Sequence, residues 1–287
     1  MTQLDETGVP TSSSSEPSTM LTMLDALSAD IGHTVFELGT GTGYNAALMS
    51  YRLGADRVTS VDVDPELVSL ATRRLTEYGS LPHVTVGDGA LGCPERAPFD
   101  RIIATAALRT IHPALLGQAR VGTVIVAPIG FGIARVIVTA PHHASGRFLA
   151  TPAFFMPRRR PGRTPDFETV REQDPESTSV PVSEVLDRLR FPLSLALPGF
   201  NSCTWRNNDG ALTGIGLWTE DGSTVATHVN GHVRQTGPRR LWDTVENLSG
   251  LFPEAPRRED FGITITPDDQ CVWYREPKGA SWRLSPG

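Results

Sequence analysis

The sequence is most informative first in what it has little of. Lys278 is the only lysine, so arginine carries nearly all the positive charge. The formal net charge is -6, and a chain that neutralised phosphates would need a basic face, so nucleic acid is not an expected partner. Cys93, Cys203 and Cys271 lie far apart with no C-x-x-C pair among them. That spacing indicates neither a disulfide framework nor a cysteine zinc site, and no metal is expected. Reduced thiols in a cytoplasmic protein are the simpler account. The opening MTQLDETGVP is polar and acidic, without the basic and apolar regions of a secretory signal. No uninterrupted apolar run is long enough to span a bilayer, so no membrane partner is expected. Tryptophan is absent before Trp205, which divides the chain into two differently composed parts.

What is present suffices for a folded protein. Hydrophobic residues make up 39% of 287 and charged residues 20%, which supports a buried core and argues against wholesale disorder. Helical and strand patterns alternate through the first half. Met20, Met23, Leu24 and Leu27 share one helix face. HTVFEL reads as a buried strand, Tyr44 to Leu53 as a helix, RVTSVD as a strand and Pro65 to Tyr78 as a helix. HVTVGD, DRIIATA and TVIVAPI add three strands, with a helix from His112 to Ala119 between the last two. This succession predicts an α/β fold: a Rossmann-like, doubly wound, mostly parallel sheet. ARVIVTA and GRFLATPAFFM, joined by PHHASG, add an antiparallel edge.

Beyond residue 157 the pattern changes. Residues 158–180 are rich in proline and in charge of both signs, and read as a linker. Residues 181–287 read as a small C-terminal α+β domain. Its signals are a hairpin about Asp221-Gly222, a helix with Leu241, Val245 and Leu248 on one face, and a second hairpin about Pro267 to Asp269. All five tryptophans fall in it, and most are expected in its core. The predicted organisation is therefore 1–157, a linker, and 181–287 as an accessory substrate-recognition domain.

The chemistry centres on VFELGTGTGY. Gly39, Gly41 and Gly43 allow a tight turn after a strand and let a ligand approach the backbone. Asp62 ends the next strand, where an acid would hold ribose hydroxyls. A nicotinamide fingerprint would put its third glycine at position 44, which is Tyr44. The E-x-G-x-G-x-G pattern from Glu37 instead resembles the first motif of the Rossmann-like methyltransferases. That resemblance implies S-adenosylmethionine as cofactor, with Glu37, Gly39, Thr40, Gly41, Gly43, Asp62, Val63, Asp88 and Gly89 around it and Asp88 facing the adenine amino group.

The likeness extends further. SSSEPSTMLTMLDAL, VFELGTGTGYNAALM, VTSVDVDPELV, VTVGDGALGCPERAPFDRIIATAA and GTVIVAPIG together resemble the protein-L-isoaspartate O-methyltransferases, from Thr11 to Pro157. The family esterifies the free carboxylate of an isoaspartyl residue, and the ester closes to a succinimide. Its T-I-S-x-P pre-motif falls on Ser13, Ser14, Ser15, Glu16 and Pro17. The resemblance implies that Ser15 orients the acceptor carboxylate, with Ser14, Glu16, Pro17, Thr105 and Ala106 about the substrate. Glu16 departs from the family pattern and would repel an anionic substrate unless it points away. The tail, with GPRRLWDTVE and FGITITPDDQCVW, is similar to actinobacterial members encoded beside ATP-grasp peptide maturases. The expected activity is thus methylation of an aspartate in a ribosomally made, modified peptide, giving aspartimide or isoaspartate. The alternative is isoaspartate repair in damaged proteins. Arg158, Arg159, Arg160 and Arg163 read as a solvated stretch.

Overall fold

A computed structural model describes residues 16–155, 165 and 167–286, with the backbone of 3–4 and 10–12. The chain divides into two units, Met1–Arg159 with Arg258–Gly287, and Arg160–Arg257.

The first unit opens with a short antiparallel ribbon, β1 (Gln3–Leu4) with β2 (Pro10–Ser12). Helix α1 (Pro17–Leu27) follows, with proline in its first turn, where the missing N–H costs nothing. Then come β3 (Val35–Leu38), α2 (Tyr44–Leu53), β4 (Val58–Asp62), α3 (Pro65–Glu77), β5 (His83–Val86), β6 (Phe99–Ala104), α4 (Pro113–Gly117) and β7 (Ala119–Ile129). The start of α3 is set locally: Asp64 caps it by accepting from the Glu66 and Leu67 amides, and Pro65 takes the first helical position. The five strands lie in the parallel order β7-β6-β3-β4-β5. Met20, Met23 and Leu27 of α1 join Ala46, Met49 and Leu53 of α2 and Leu75 of α3 in one core with Val35, Val58, Ile103 and Val126 of the sheet. Each such Met, Leu, Ile or Val side chain, fully buried, contributes about 1.5–3 kcal/mol.

The antiparallel edge is larger than the sequence reading has it. β8 (Gly132–Ala140) and β9 (His143–Pro152) form the expected hairpin, but PHHASG shrinks to a tight turn with His142 at a positive φ of 58°. The last three strands, β15 (Phe261–Ile265), β16 (Gln270–Tyr274) and β17 (Ser281–Arg283), continue the same sheet. β15 pairs with β9 in the register Gly262–Arg147 and Ile265–Ala144. The ten-stranded sheet is therefore mixed, parallel through β7 and antiparallel beyond it. This corrects the 181–287 boundary: residues from 258 belong to the first unit, because the otherwise unpaired edge of β9 takes up β15. Trp273 and Trp282 go with them.

The second unit contains α5 (Glu168–Arg171), β10 (Glu176–Ser177), α6 (Val182–Leu186), α7 (Arg190–Ala196), β11 (Asn201–Arg206), β12 (Leu212–Trp218), β13 (Thr224–His228), β14 (His232–Thr236) and α8 (Leu241–Leu251). Its antiparallel sheet has the order β10-β14-β13-β12-β11. The expected hairpin turns at Asp221-Gly222, and Leu241, Val245 and Leu248 bury as predicted. Trp242 is 1% exposed and donates its indole N–H to Thr178 Oγ1 at 2.8 Å. Residues 167–180, part of the 158–180 stretch read as linker, supply α5 and β10, and Val170 and Val180 are buried. Two isolated valines in a charged stretch show no period, so local pattern does not announce this folding. Arg158, Arg159, Arg160 and Arg163 lie outside the described residues. Among the described residues, no helix is long and apolar enough to cross a membrane.

Candidate active site

The parallel strands deliver their carboxyl ends to one edge, where ligands of open α/β sheets gather. β3 ends at Leu38 and the chain turns through Gly39 to Gly43 into α2. The φ angles at Gly39, Gly41 and Gly43 are 96°, 51° and 81°, which side-chain-bearing residues rarely adopt. The glycines differ in what surrounds them. A Cβ on Gly39 would meet Thr105 Oγ1 at 2.6 Å, and one on Gly43 would meet Ala71 Cβ at 3.1 Å. Beyond Gly41 nothing lies within 4 Å. Gly39 and Gly43 are thus bare for packing, and Gly41 is bare toward open space.

Hydrogen bonds extend the sheet past its strands and fasten this loop on both sides. Gly39 N donates to Val61 O, and Gly41 N to Asp62 Oδ2 at 2.9 Å. On the other side Thr105 N donates to Leu38 O, and the Thr105 hydroxyl to Gly39 O at 2.6 Å. Asp62 Oδ1 accepts from the Asp64 amide at 3.1 Å. Asp88 follows β5 and accepts from Ala90 N, while Gly87 N donates to Asp62 O. The structure therefore gathers Gly39, Gly41, Asp62, Asp88 and Thr105 along consecutive strand ends. Gly89 is required by packing, since its Cβ would lie 2.6 Å from Leu38 Cγ.

Glu37 faces inward. It is 1% exposed, and its two oxygens accept from Asn45 Nδ2 at 2.7 Å and Ser60 Oγ at 2.6 Å. Thr40 Oγ1 lies 2.7 Å from Ser60 Oγ. This buried chain couples the glycine loop to β4 and to the start of α2, so Glu37 positions the loop from below. Burial pushes its carboxyl up to about 7, opposed by the hydrogen bonds from Ser60 and Asn45 and reinforced by the Asp62 charge. Asn45 and Ser60 lie within segments that carry the family resemblance, but their partnership with Glu37 emerges only from the folded contacts.

Val63 is 63% exposed, beside Asp62. Tyr44 and Leu91, also exposed, follow the glycine loop and Asp88. Apolar surface left open beside a polar strand edge fits a ligand that would cover it. The start of α2 has no side-chain cap, so its N–H groups suit a carboxylate. Open backbone at Gly41, acids at two neighbouring strand ends and an uncapped helix start together fit S-adenosylmethionine, whose amino-acid, ribose and adenine parts need those partners.

Glu16 stands at the N-cap position of α1 without capping its amides, and its carboxylate accepts from Thr19 Oγ1 at 3.1 Å. Pro17 is exposed at the first helical position, and Thr105 and Ala106 are half-buried directly after β6. Ser14 and Ser15 lie outside the described residues.

The parallel order β7-β6-β3-β4-β5 and a glycine loop after β3 define a Rossmann-like methyltransferase fold. The model of the protein-L-isoaspartate(D-aspartate) O-methyltransferase family matches residues 6–153, and the chain belongs to that family. A protein-L-isoaspartate O-methyltransferase of Xanthobacter autotrophicus is 49% identical over 118 residues, 40% of this chain and 52% of its own length. The protein of that name from Ignicoccus hospitalis is 38% identical over 133 residues, 44% of this chain and 63% of its own. The chain thus spans about half to two thirds of the length of these relatives. A solved protein-L-isoaspartate O-methyltransferase superposes with a TM-score of 0.54 at 19% identity, covering 93% of this chain and 83% of that one. At that identity the likeness concerns the fold alone. Its coverage takes in residues of both units.

Proposed function

We propose that the protein is an S-adenosylmethionine-dependent carboxyl O-methyltransferase that esterifies the free carboxylate of an isoaspartyl residue in a polypeptide. The observation that carries this reading is that the family match over residues 6–153 contains every residue of the glycine-loop site. The bound cofactor supplies an activated methyl group on a sulfonium. The acceptor carboxylate is ionised at neutral pH and is its own nucleophile, so no residue has to act as a strong general base. The chain's task is to hold, orient and dehydrate.

In this reading Asp62 accepts from the ribose hydroxyls, Asp88 from the adenine amino group, and the start of α2 meets the cofactor carboxylate. Thr40 and Glu37 act indirectly, by holding the loop through Ser60 and Asn45. Ser15 donates a hydrogen bond that orients the acceptor. Such a bond also lowers the oxygen's nucleophilicity, so its role is alignment, one part of the positioning of acceptor and cofactor that as a whole can supply on the order of 7–11 kcal/mol. Ser14, Pro17, Thr105 and Ala106 are assigned to the substrate. Glu16, tied to Thr19, is drawn toward its own helix, which lessens its repulsion of an anionic acceptor. After transfer the ester closes to a succinimide as the backbone nitrogen displaces methanol. The proposed setting is the cytoplasm, supported by three cysteines that form no disulfide.

Methylation of one aspartate in a modified ribosomal peptide is the second reading. It rests on the tail motifs and takes second place because the relatives carry the isoaspartate name. The test is transfer from methyl-labelled cofactor to an isoaspartyl peptide and to its aspartyl isomer. Base-labile label on the isoaspartyl peptide alone is expected. Label on neither overturns the proposal, and preference for an aspartyl peptide favours the second reading.

A further inference from the structure

One group of side chains apart from the glycine-loop edge has metal-ligand chemistry and no task in methyl transfer. A ring nitrogen of His83, the sulfur of Cys93 and a carboxylate oxygen of Glu95 all lie within 4.8 Å of one another. His83 begins β5, the outermost parallel strand, so the group stands at the amino end of that strand, whereas Asp88 follows its carboxyl end.

The local sequence builds this convergence. Gly92 has a φ of 74°, and a Cβ there would collide with the Gln118 amide. Gln118 Oε1 accepts from Cys93 N and its Nε2 donates to Leu91 O, both at 2.7 Å, which pins the backbone on either side of Gly92. Pro94 then opens a 3-10 turn that carries Glu95 round beside the thiol. Cys93 is 2% exposed, and its thiol donates to Glu95 Oε1 at 3.0 Å. The ring of His83 is incompletely satisfied: its Nε2 is shut off from solvent with no hydrogen-bond partner. An imidazole with a buried, unpartnered nitrogen, beside a thiol that shares its proton with a carboxylate, is poor as a hydrogen-bonded cluster and good as a ligand set, since the imidazole can bind a metal through either ring nitrogen. Mixed nitrogen, sulfur and oxygen donors suit zinc or cobalt, and calcium and magnesium take oxygen.

We propose that His83, Cys93 and Glu95 form a site for one divalent cation of the zinc or cobalt class, with solvent completing a four-coordinate shell. Ligand atoms in such a shell stand about 3.5 Å apart, and the exposed Glu95 carboxylate, now 3.0 Å from the thiol, is able to move to that spacing. Binding exchanges the sulfur–hydrogen bond for a sulfur–metal bond. The proton passes to solvent, and no oxidation state changes. The ion would clasp the amino end of β5 to the 92–96 loop and so close the segment that contains Asp88. The cysteine spacing conceals such a site, since two of its three ligands are not cysteine.

The test uses the full chain with Cys203→Ser and Cys271→Ser, stripped by a chelator and titrated with cobalt(II). One equivalent is expected to bind, with a thiolate-to-cobalt band in the near ultraviolet and the strong visible bands of a four-coordinate ion. Zinc should displace it and raise Tm with concentration. Cys93→Ser should lose the thiolate band, and His83→Gln and Glu95→Gln should each weaken binding by roughly tenfold or more. Glu95 is exposed, so Glu95→Gln tests the site even where Cys93→Ser fails to fold. Absence of the thiolate band, its persistence in Cys93→Ser, or unchanged titration of both His83→Gln and Glu95→Gln overturns the proposal.

Discussion

Two groups of glycines, one from each unit, serve opposite ends. In the first, Gly39, Gly41 and Gly43 follow a strand, all at positive φ. In the second, Gly214 and Gly216 lie inside β12 in extended backbone. A Cβ on Gly216 would run into the Phe167 ring and lie 2.9 Å from Cys203 Sγ, and one on Gly214 would lie 2.9 Å from both Trp205 and His228. Phe167 stands edge-on to Trp205 and Trp218, at ring separations of 5.2 and 5.9 Å, and Trp205 stacks on His228 at 5.4 Å. One group of glycines shapes a loop for a ligand, and the other clears a sheet face for the unit's own aromatics. The same residue type is therefore evidence of a site only together with its backbone angle and its neighbours.

That contrast can be broken by substitution. The largest effect is expected from Gly39→Ala, which combines a strained φ with a clash against Thr105. We expect a loss of roughly 4 kcal/mol in stability and at least tenfold weaker cofactor binding, measured by denaturant unfolding and calorimetry. Retained affinity would separate the loop from the ligand.

A second test concerns pH. Glu37 rises from an ordinary 4.5 to about 7 in the fold, so the folded state holds its proton more tightly than the unfolded chain. Its contribution is complete below pH 4.5 and is lost as pH climbs through 7, a decline of roughly 3 kcal/mol at 1.36 kcal/mol per unit. Unfolding curves from pH 4.5 to 8 should show this slope in the wild type and a flatter profile in Glu37→Gln. Equal slopes would place the carboxyl in a wetter setting than its hydrogen bonds indicate.

Gly216→Ala should cost less, about 1–3 kcal/mol by overpacking, and should leave cofactor affinity unchanged. Adding Phe167→Ala should return part of that loss, which a double-mutant cycle would register. An additive pair would mean that the aromatic packing does not set the need for glycine.

What could be read in advance followed from local pattern. The glycine loop after β3, Asp62 at the end of β4, the Asp221-Gly222 turn and the buried face of α8 are each written within about a dozen residues. What escaped depends on partners distant in the chain. Glu37 is legible as a motif residue, but its burial depends on Ser60 and Asn45. The 261–274 hairpin was visible as a hairpin, yet nothing in it names β9 as its neighbour. Val170 and Val180 bury in a stretch whose composition suggests only solvent. The aromatic cluster needs Phe167, which precedes β12 by more than forty residues of differing structure.

The strand β15 has a consequence for the order in which the protein is made. The chain leaves the first unit near Arg159 and returns at Arg258, so the second unit is an insertion, tethered at both ends. During synthesis the edge of β9 stays open until the whole insertion has been translated. An open edge at residues 144–147 is a template for wrong pairing, and early collapse of the inserted unit shortens the effective loop that β15 must close. The inserted unit thus bears on folding as well as on any substrate: the sooner it collapses, the shorter the loop that β15 has to close.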